Sequence, residues 1–140
     1  MSEKNTKAAV KALVEKNDKI LMLKTKFGDG HIWVPPGGKV KHGEPPLDAL
    51  HREIEEETGM GIEVQNCIGM YHFLIGPEDK GDQVTLTVFE ASTDSKTVDL
   101  SSNPADENIE GYQWVEPEKL IEKNITDSLI RLLQDHYELE

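Results

Sequence analysis

GKVKHGEPPLDALHREIEEETGM, residues 38–60, is the stretch on which the reading of this chain turns. Its second part has the marks of a helix. Pro45 and Pro46 suit a first helical turn, where the backbone N–H has no partner. Gly59 suits a left-handed stop after Thr58. On a helix turning about 100° per residue, Glu53, Glu56 and Glu57 stand at i, i+3 and i+4 and share one face. Leu47, Leu50 and Ile54 form a separate stripe, centred about 110° away by the same count, that can bury in a core. Asp48 and Glu55 point to solvent.

Three like charges this close repel, and a hard divalent cation with oxygen ligands turns that repulsion into a binding site. Arg52, four residues before Glu56, can hold that carboxylate in place. Glu44, just ahead of the helix, is favoured by the dipole and can reach the same face. A set of oxygen donors points to Mg²⁺ or Mn²⁺ rather than zinc, which prefers His and Cys. Against this, a Glu-Glu-Glu run in a Glu-rich chain is by itself most often a solvated helix face.

Spacing over the whole stretch overturns that bland reading. Gly38, five residues, Glu44, seven residues, Arg52-Glu53-Ile54, one residue, Glu56-Glu57, one residue, Gly59-Met60 resembles the Nudix box with no departure at a specified position. A chance match at the fixed identities is on the order of one in 10⁷ per start position. The resemblance implies an α/β fold, an α/β/α sandwich with a mixed β-sheet between helices. It implies a divalent-metal-dependent hydrolase of nucleoside diphosphate-linked compounds, with water attacking a diphosphate phosphorus. By position, Glu53, Glu56 and Glu57 look like metal ligands, the carbonyl of Gly38 or Gly37 completes the shell, Arg52 orients the glutamates and Glu44 supports them. The general base in the family is either the glutamate at the Glu53 position or one on a later loop; here the loop candidates are Glu107 and Glu110, with Glu107 preferred. Pro45 stands where many such boxes carry a capping Ser or Thr, so a side-chain cap is not expected.

Around the box, Ala8–Glu15 and Lys19–Lys24 read as two strands joined by a tight turn at Lys16-Asn17-Asp18. Thr25–Gly43, broken by glycines and prolines, reads as an irregular loop region. Ile62–Ile75 and Gln83–Ala91 read as strands separated by a turn over 76–81, with Phe89 breaking the strict alternation of the second. A polar loop over 94–110, a short strand Gly111–Val115, a short helix Pro117–Glu122 and a helix over Thr126–His136 complete the chain. Residues 1–140 are expected to form a single domain.

Fifteen Lys and Arg against 27 Asp and Glu give a net charge of −12, which disfavours duplex nucleic acid and anionic lipid as partners. With one cysteine, Cys67, no internal disulfide exists; that residue reads as a small buried strand residue. No targeting segment or membrane span is evident, so a cytoplasmic location is expected, with a small-molecule nucleotide substrate and a homodimer left open.

The group attached to the diphosphate is harder to read. Trp33, Phe27 and Phe73 are candidates for stacking on a base, although such residues more often simply pack. Asn124 resembles by placement a purine-reading asparagine of MutT-like members. His31, His42 and His72 are candidate phosphate contacts, with ordinary surface roles more common. In ADP-ribose hydrolases of the family a proline tends to follow the box by about fifteen residues, and in dinucleoside-polyphosphate hydrolases a tyrosine lies nearby; Pro77 follows Met60 by seventeen, and no tyrosine occupies that neighbourhood. A compact MutT-like nucleotide pyrophosphohydrolase is therefore expected, with an ADP-ribose or dinucleoside-polyphosphate hydrolase and a non-catalytic nucleotide-sensing module as alternatives.

Overall fold

A computed structural model describes residues 5–75, 81–103 and 108–139. Strand β1 (Thr6–Lys16) turns into β2 (Lys19–Phe27) through Asn17 and Asp18, both with positive φ. That is the two-residue turn whose twist matches flanking strands, and Asn and Asp tolerate it best after glycine. The two strands pair only next to the turn, at Glu15–Ile20 and Lys16–Lys19, and then diverge. β1 goes on to pair in parallel with β6 (Asp82–Ser92), while β2 pairs antiparallel with β3 (Gly30–Val34) and β7 (Ile109–Val115). β5 (Glu63–Ile75) runs antiparallel beside β6, and the short β4 (Gly37–Lys39) pairs with β1.

Alternation along these strands sends side chains to two separate cores. Ala9 and Leu13 of β1 and Ile20 and Met22 of β2 join Leu120, Leu129 and Leu133 beneath helix α2 (Asp127–Tyr137). Val10, Ala12 and Val14, with Leu21 and Leu23, face Ala49, Leu50 and Ile54 of helix α1 (Pro46–Thr58). Strands buried on both faces read as nearly continuous apolar runs, which is why β1 and β2 are so apolar. The result is the expected mixed sheet between helices.

Three local expectations are corrected. Thr25–Gly43 is not irregular throughout: β3 and β4 lie inside it. Its turn residues obscured them, yet the Ala12 N–H donates to the Pro36 carbonyl at 3.0 Å and the whole segment is knitted to its neighbours. Phe89 does not break the alternation of β6. Val84, Leu86 and Val88 face the α2 core, while Phe89 and Ala91 face the α1 core. Cys67 is exposed, at an irregularity in the β5–β6 register. The remaining elements lie close to expectation, with Pro117–Glu122 a 3-10 helix and β7 beginning at Ile109 inside the expected loop. The turn at 76–80, with Pro77, lies outside the described residues. No helix among the described residues is long and apolar enough to cross a membrane.

Candidate functional site

Helix α1 opens on Pro45 with no side-chain cap and ends on Gly59 in the left-handed conformation, both as the sequence implies. Its buried arc, however, is not the arc that apolar spacing suggests. Ala49, Leu50 and Ile54 are fully buried, but Leu47 is 45% exposed. Periodicity reports an angle around the helix and not how far along its axis the sheet extends. Glu53 and Glu57, only 6% and 2% exposed, instead occupy the centre of the buried arc, where an apolar neighbour would ordinarily sit.

Burying two carboxylates is costly unless each is partnered. The Gly37 N–H donates to Glu57 Oε1 at 2.8 Å, tying the helix to β4. Arg52 Nη1 donates to Glu53 Oε1 at 3.0 Å and to Glu56 Oε2 at 3.3 Å. The same guanidinium donates from Nε and Nη2 to the two oxygens of Glu44, at 2.8 and 2.9 Å, and from Nη2 to the Lys39 carbonyl at 3.3 Å. Arg52 is thus the hub that holds Glu44, Glu53 and Glu56. The planar fork makes this bidentate grip of Glu44 available to arginine and not to lysine.

Glu53 Oε2 is buried with no hydrogen-bond partner among the described residues. It faces Gly38 so closely that a Cβ there would lie 2.4 Å from it. An unpartnered anionic oxygen, pressed against backbone and surrounded by further carboxylates, is a donor set that suits a hard cation. No three His, Cys, Asp or Glu side chains among the described residues are arranged to hold a metal ion, and Arg52 pairs with Glu44, Glu53 and Glu56. The carbonyl of Gly37 accepts from Lys11 Nζ at 3.2 Å, which leaves Gly38 the better carbonyl candidate.

The hydrogen bond from Arg52, with a second from the Lys41 N–H, holds the Glu44 carboxyl down to about 2, and the pairing raises Arg52 in turn. A carboxyl that titrates at 4.5 unfolded and near 2 folded contributes stability in full above pH 4.5, and that contribution is lost as pH falls towards 2. Thermal melts followed by circular dichroism should show a falling midpoint across that window, with a shallower fall in Glu44→Gln. Parallel curves for the two proteins would remove Glu44 from the network.

Beside Glu57 and Lys11 opens a cavity of about 320 Å³, lined by Thr25, Phe27, Trp33, Phe73, Thr126 and other mainly apolar residues. The structure therefore brings the three aromatic candidates, Trp33, Phe27 and Phe73, to one cavity. Phe27 remains 67% exposed. Lys11, Thr25 and Thr126 were not legible as site residues, since each belongs to an ordinary strand or helix start. His42 is exposed, His72 lies in a different groove beside Arg131, and His31 pairs with Glu110 at 2.5 Å. Glu110 is thus committed to a histidine on the far side of β2, and Glu107 lies outside the described residues.

The family model of the NUDIX domain matches residues 5–135. The chain belongs to the Nudix family. Members of this family are pyrophosphohydrolases. An ADP-ribose pyrophosphatase of Methanocaldococcus jannaschii is 41% identical over 64 residues, 45% of this chain and only 38% of that protein's length. Nudix hydrolase 25 of Arabidopsis thaliana is 27% identical over 126 residues, covering 78% of this chain and 71% of that one. The crystal structure of a MutT protein from Methanosarcina mazei Go1 superposes with a TM-score of 0.82 at 23% identity, over 99% of this chain and 97% of the other, a likeness of fold. The Nudix box accordingly coincides with the β4–α1 unit, and the glutamates of the box are those gathered around Arg52 and Gly37.

Proposed function

We propose that this Nudix domain is a MutT-like nucleotide pyrophosphohydrolase, cleaving nucleoside diphosphate-linked compounds by attack of water on a diphosphate phosphorus. The buried, unpartnered Oε2 of Glu53, set among the carboxylates of the box, is the observation that carries this reading. Glu53, Glu56 and Glu57, with the carbonyl of Gly38, would hold Mg²⁺ or Mn²⁺, and Gly37 and Glu44 support them. Such an ion, when bound, neutralises non-bridging phosphate oxygens, acidifies the attacking water and stabilises the leaving phosphate.

The protein's own part is preorganisation and proton transfer. Arg52 fixes the carboxylates through its short, directed hydrogen bonds, and the Gly37 N–H fixes Glu57. Glu53 and Glu107 are the two candidates to accept the proton of the attacking water. Lys11, beside Glu57 on the cavity wall, supplies the positive charge that a net charge of −12 otherwise withholds from an anionic substrate.

A panel of NTPs, dNTPs, oxidised nucleotides, ADP-ribose and dinucleoside polyphosphates, with Mg²⁺ or Mn²⁺, tests the proposal. Metal-dependent release of a phosphomonoester or pyrophosphate is the expected result. ADP-ribose has its place in the panel because the Methanocaldococcus relative is named for that activity. No turnover anywhere would overturn catalysis and favour a nucleotide-sensing module. A calorimetric titration without divalent-metal binding would overturn the site.

A further inference from the structure

Strand β5 ends the sheet among the described residues, so its outer edge has no strand beside it. Natural edge strands are usually guarded by lysine, proline, a bulge or shortness. Register irregularities around Cys67 break the first half of β5, but residues 70–75 pair regularly with β6 and include no lysine, proline or acid. Tyr71 and Phe73 turn into the α2 core. Met70 and Leu74, alternating with them, stay 63% and 41% exposed.

Helix α2 flanks this edge, and Ser128 Oγ donates to the His72 carbonyl at 2.8 Å. Ser128, Arg131, Leu132 and Asp135, at i, i+3, i+4 and i+7, share one face of the helix and form with residues 68–72 an open groove of about 480 Å³. Arg131 and Asp135 are exposed, and neither side chain has an ion pair or hydrogen bond among the described residues. A cation four residues ahead of an acid is the weaker arrangement for pairing within a helix. In a chain of net charge −12 the groove is balanced, lined by one arginine, two histidines and one aspartate.

We propose that a second copy of this chain docks here, the two β5–α2 faces meeting about a two-fold axis. Such an interface is self-complementary: a group at one position meets the partner's group at another, and the reverse. With the α2 helices antiparallel across the axis, Arg131 of each copy faces the partner's Asp135, and two unpaired charges per chain become two pairs between chains. Met70 and Leu74 of the two edges leave water together. A partner of one charge sign would satisfy one of the two charges and set the other against a like charge. The net charge of −12 opposes self-association in general, so a face of balanced charge is where a second copy can approach.

Sedimentation equilibrium of the full chain, from micromolar to millimolar concentration, tests this without reference to the hydrolase reading, because mass and not turnover is measured. The mass should approach twice 15.7 kDa. Arg131→Asp and Asp135→Arg should each weaken dimerisation about tenfold or more, and the variant carrying both should regain it. Net charge alone gives a different pattern, since the first exchange deepens the negative charge and the second relieves it. Met70→Glu should also weaken the dimer, while Ile121→Glu, at an exposed apolar residue outside the groove, should not. Melting midpoints establish that each variant folds. Nitroxide labels on Cys67, the single cysteine and exposed on β5, should show dipolar coupling between chains of otherwise unaltered sequence. A monomer throughout the concentration range overturns the proposal. So does a dimer that neither charge exchange weakens, a folded double variant that stays monomeric, or a dimer without coupling between the Cys67 labels.

Discussion

Glu57→Gln is expected to lower kcat/KM by on the order of 10³-fold in saturating Mg²⁺, the scale on which a preorganised charge acts in a water-poor site. Glutamine has nearly the shape of glutamate and can still accept the Gly37 N–H, so the tie between α1 and β4 survives. What disappears is a negative charge at a position only 2% exposed, where solvent cannot replace it. Steady-state kinetics beside a calorimetric Mg²⁺ titration checks this. Activity within tenfold of wild type, with metal affinity intact, would remove Glu57 from the metal site.

Gly37→Ala should produce the largest loss of stability, about 3–5 kcal/mol by denaturant titration, the range reserved for backbone strain joined to overpacking. Gly37 has φ +137°, which side chains rarely adopt. A Cβ would lie 2.0 Å from the Val10 carbonyl oxygen and 2.8 Å from Lys11 Cα, both backbone of the central strand β1. Nothing there can step aside. Gly38→Ala is the informative control, because the three atoms nearest its Cβ all belong to the Glu53 carboxylate, the end of a side chain rather than backbone. It should keep most of the stability and lose activity, and a control as unstable as Gly37→Ala would refute the distinction.

Much of this was readable in the chain. The box spacing led to the family, the proline start and glycine stop of α1 match the helix, and the apolar runs of β1 and β2 announced two strands joined by a tight turn. Elsewhere pattern misled for definable reasons. Strands β3 and β4 hid among residues that ordinarily mark turns, because pairing with β2 and β1 outweighed local preference. Leu47 matched the apolar stripe in angle but lies beyond the cover of the sheet.

The division of labour at the site follows the same line. Sequence by itself determined which carboxylates share a helical face, because that depends only on a helix's fixed turn per residue. It equally determined that this face carries more negative charge than one arginine can neutralise. Only the tertiary structure decided that Glu53 and Glu57 are buried rather than solvated, that Arg52 gathers Glu44 with Glu53 and Glu56, and that Thr25, Trp33 and Thr126 meet in one cavity. Those facts depend on contacts between β2, β3, β4 and two helices far apart in the chain. Such contacts are set by the packing of two cores, which no local spacing encodes.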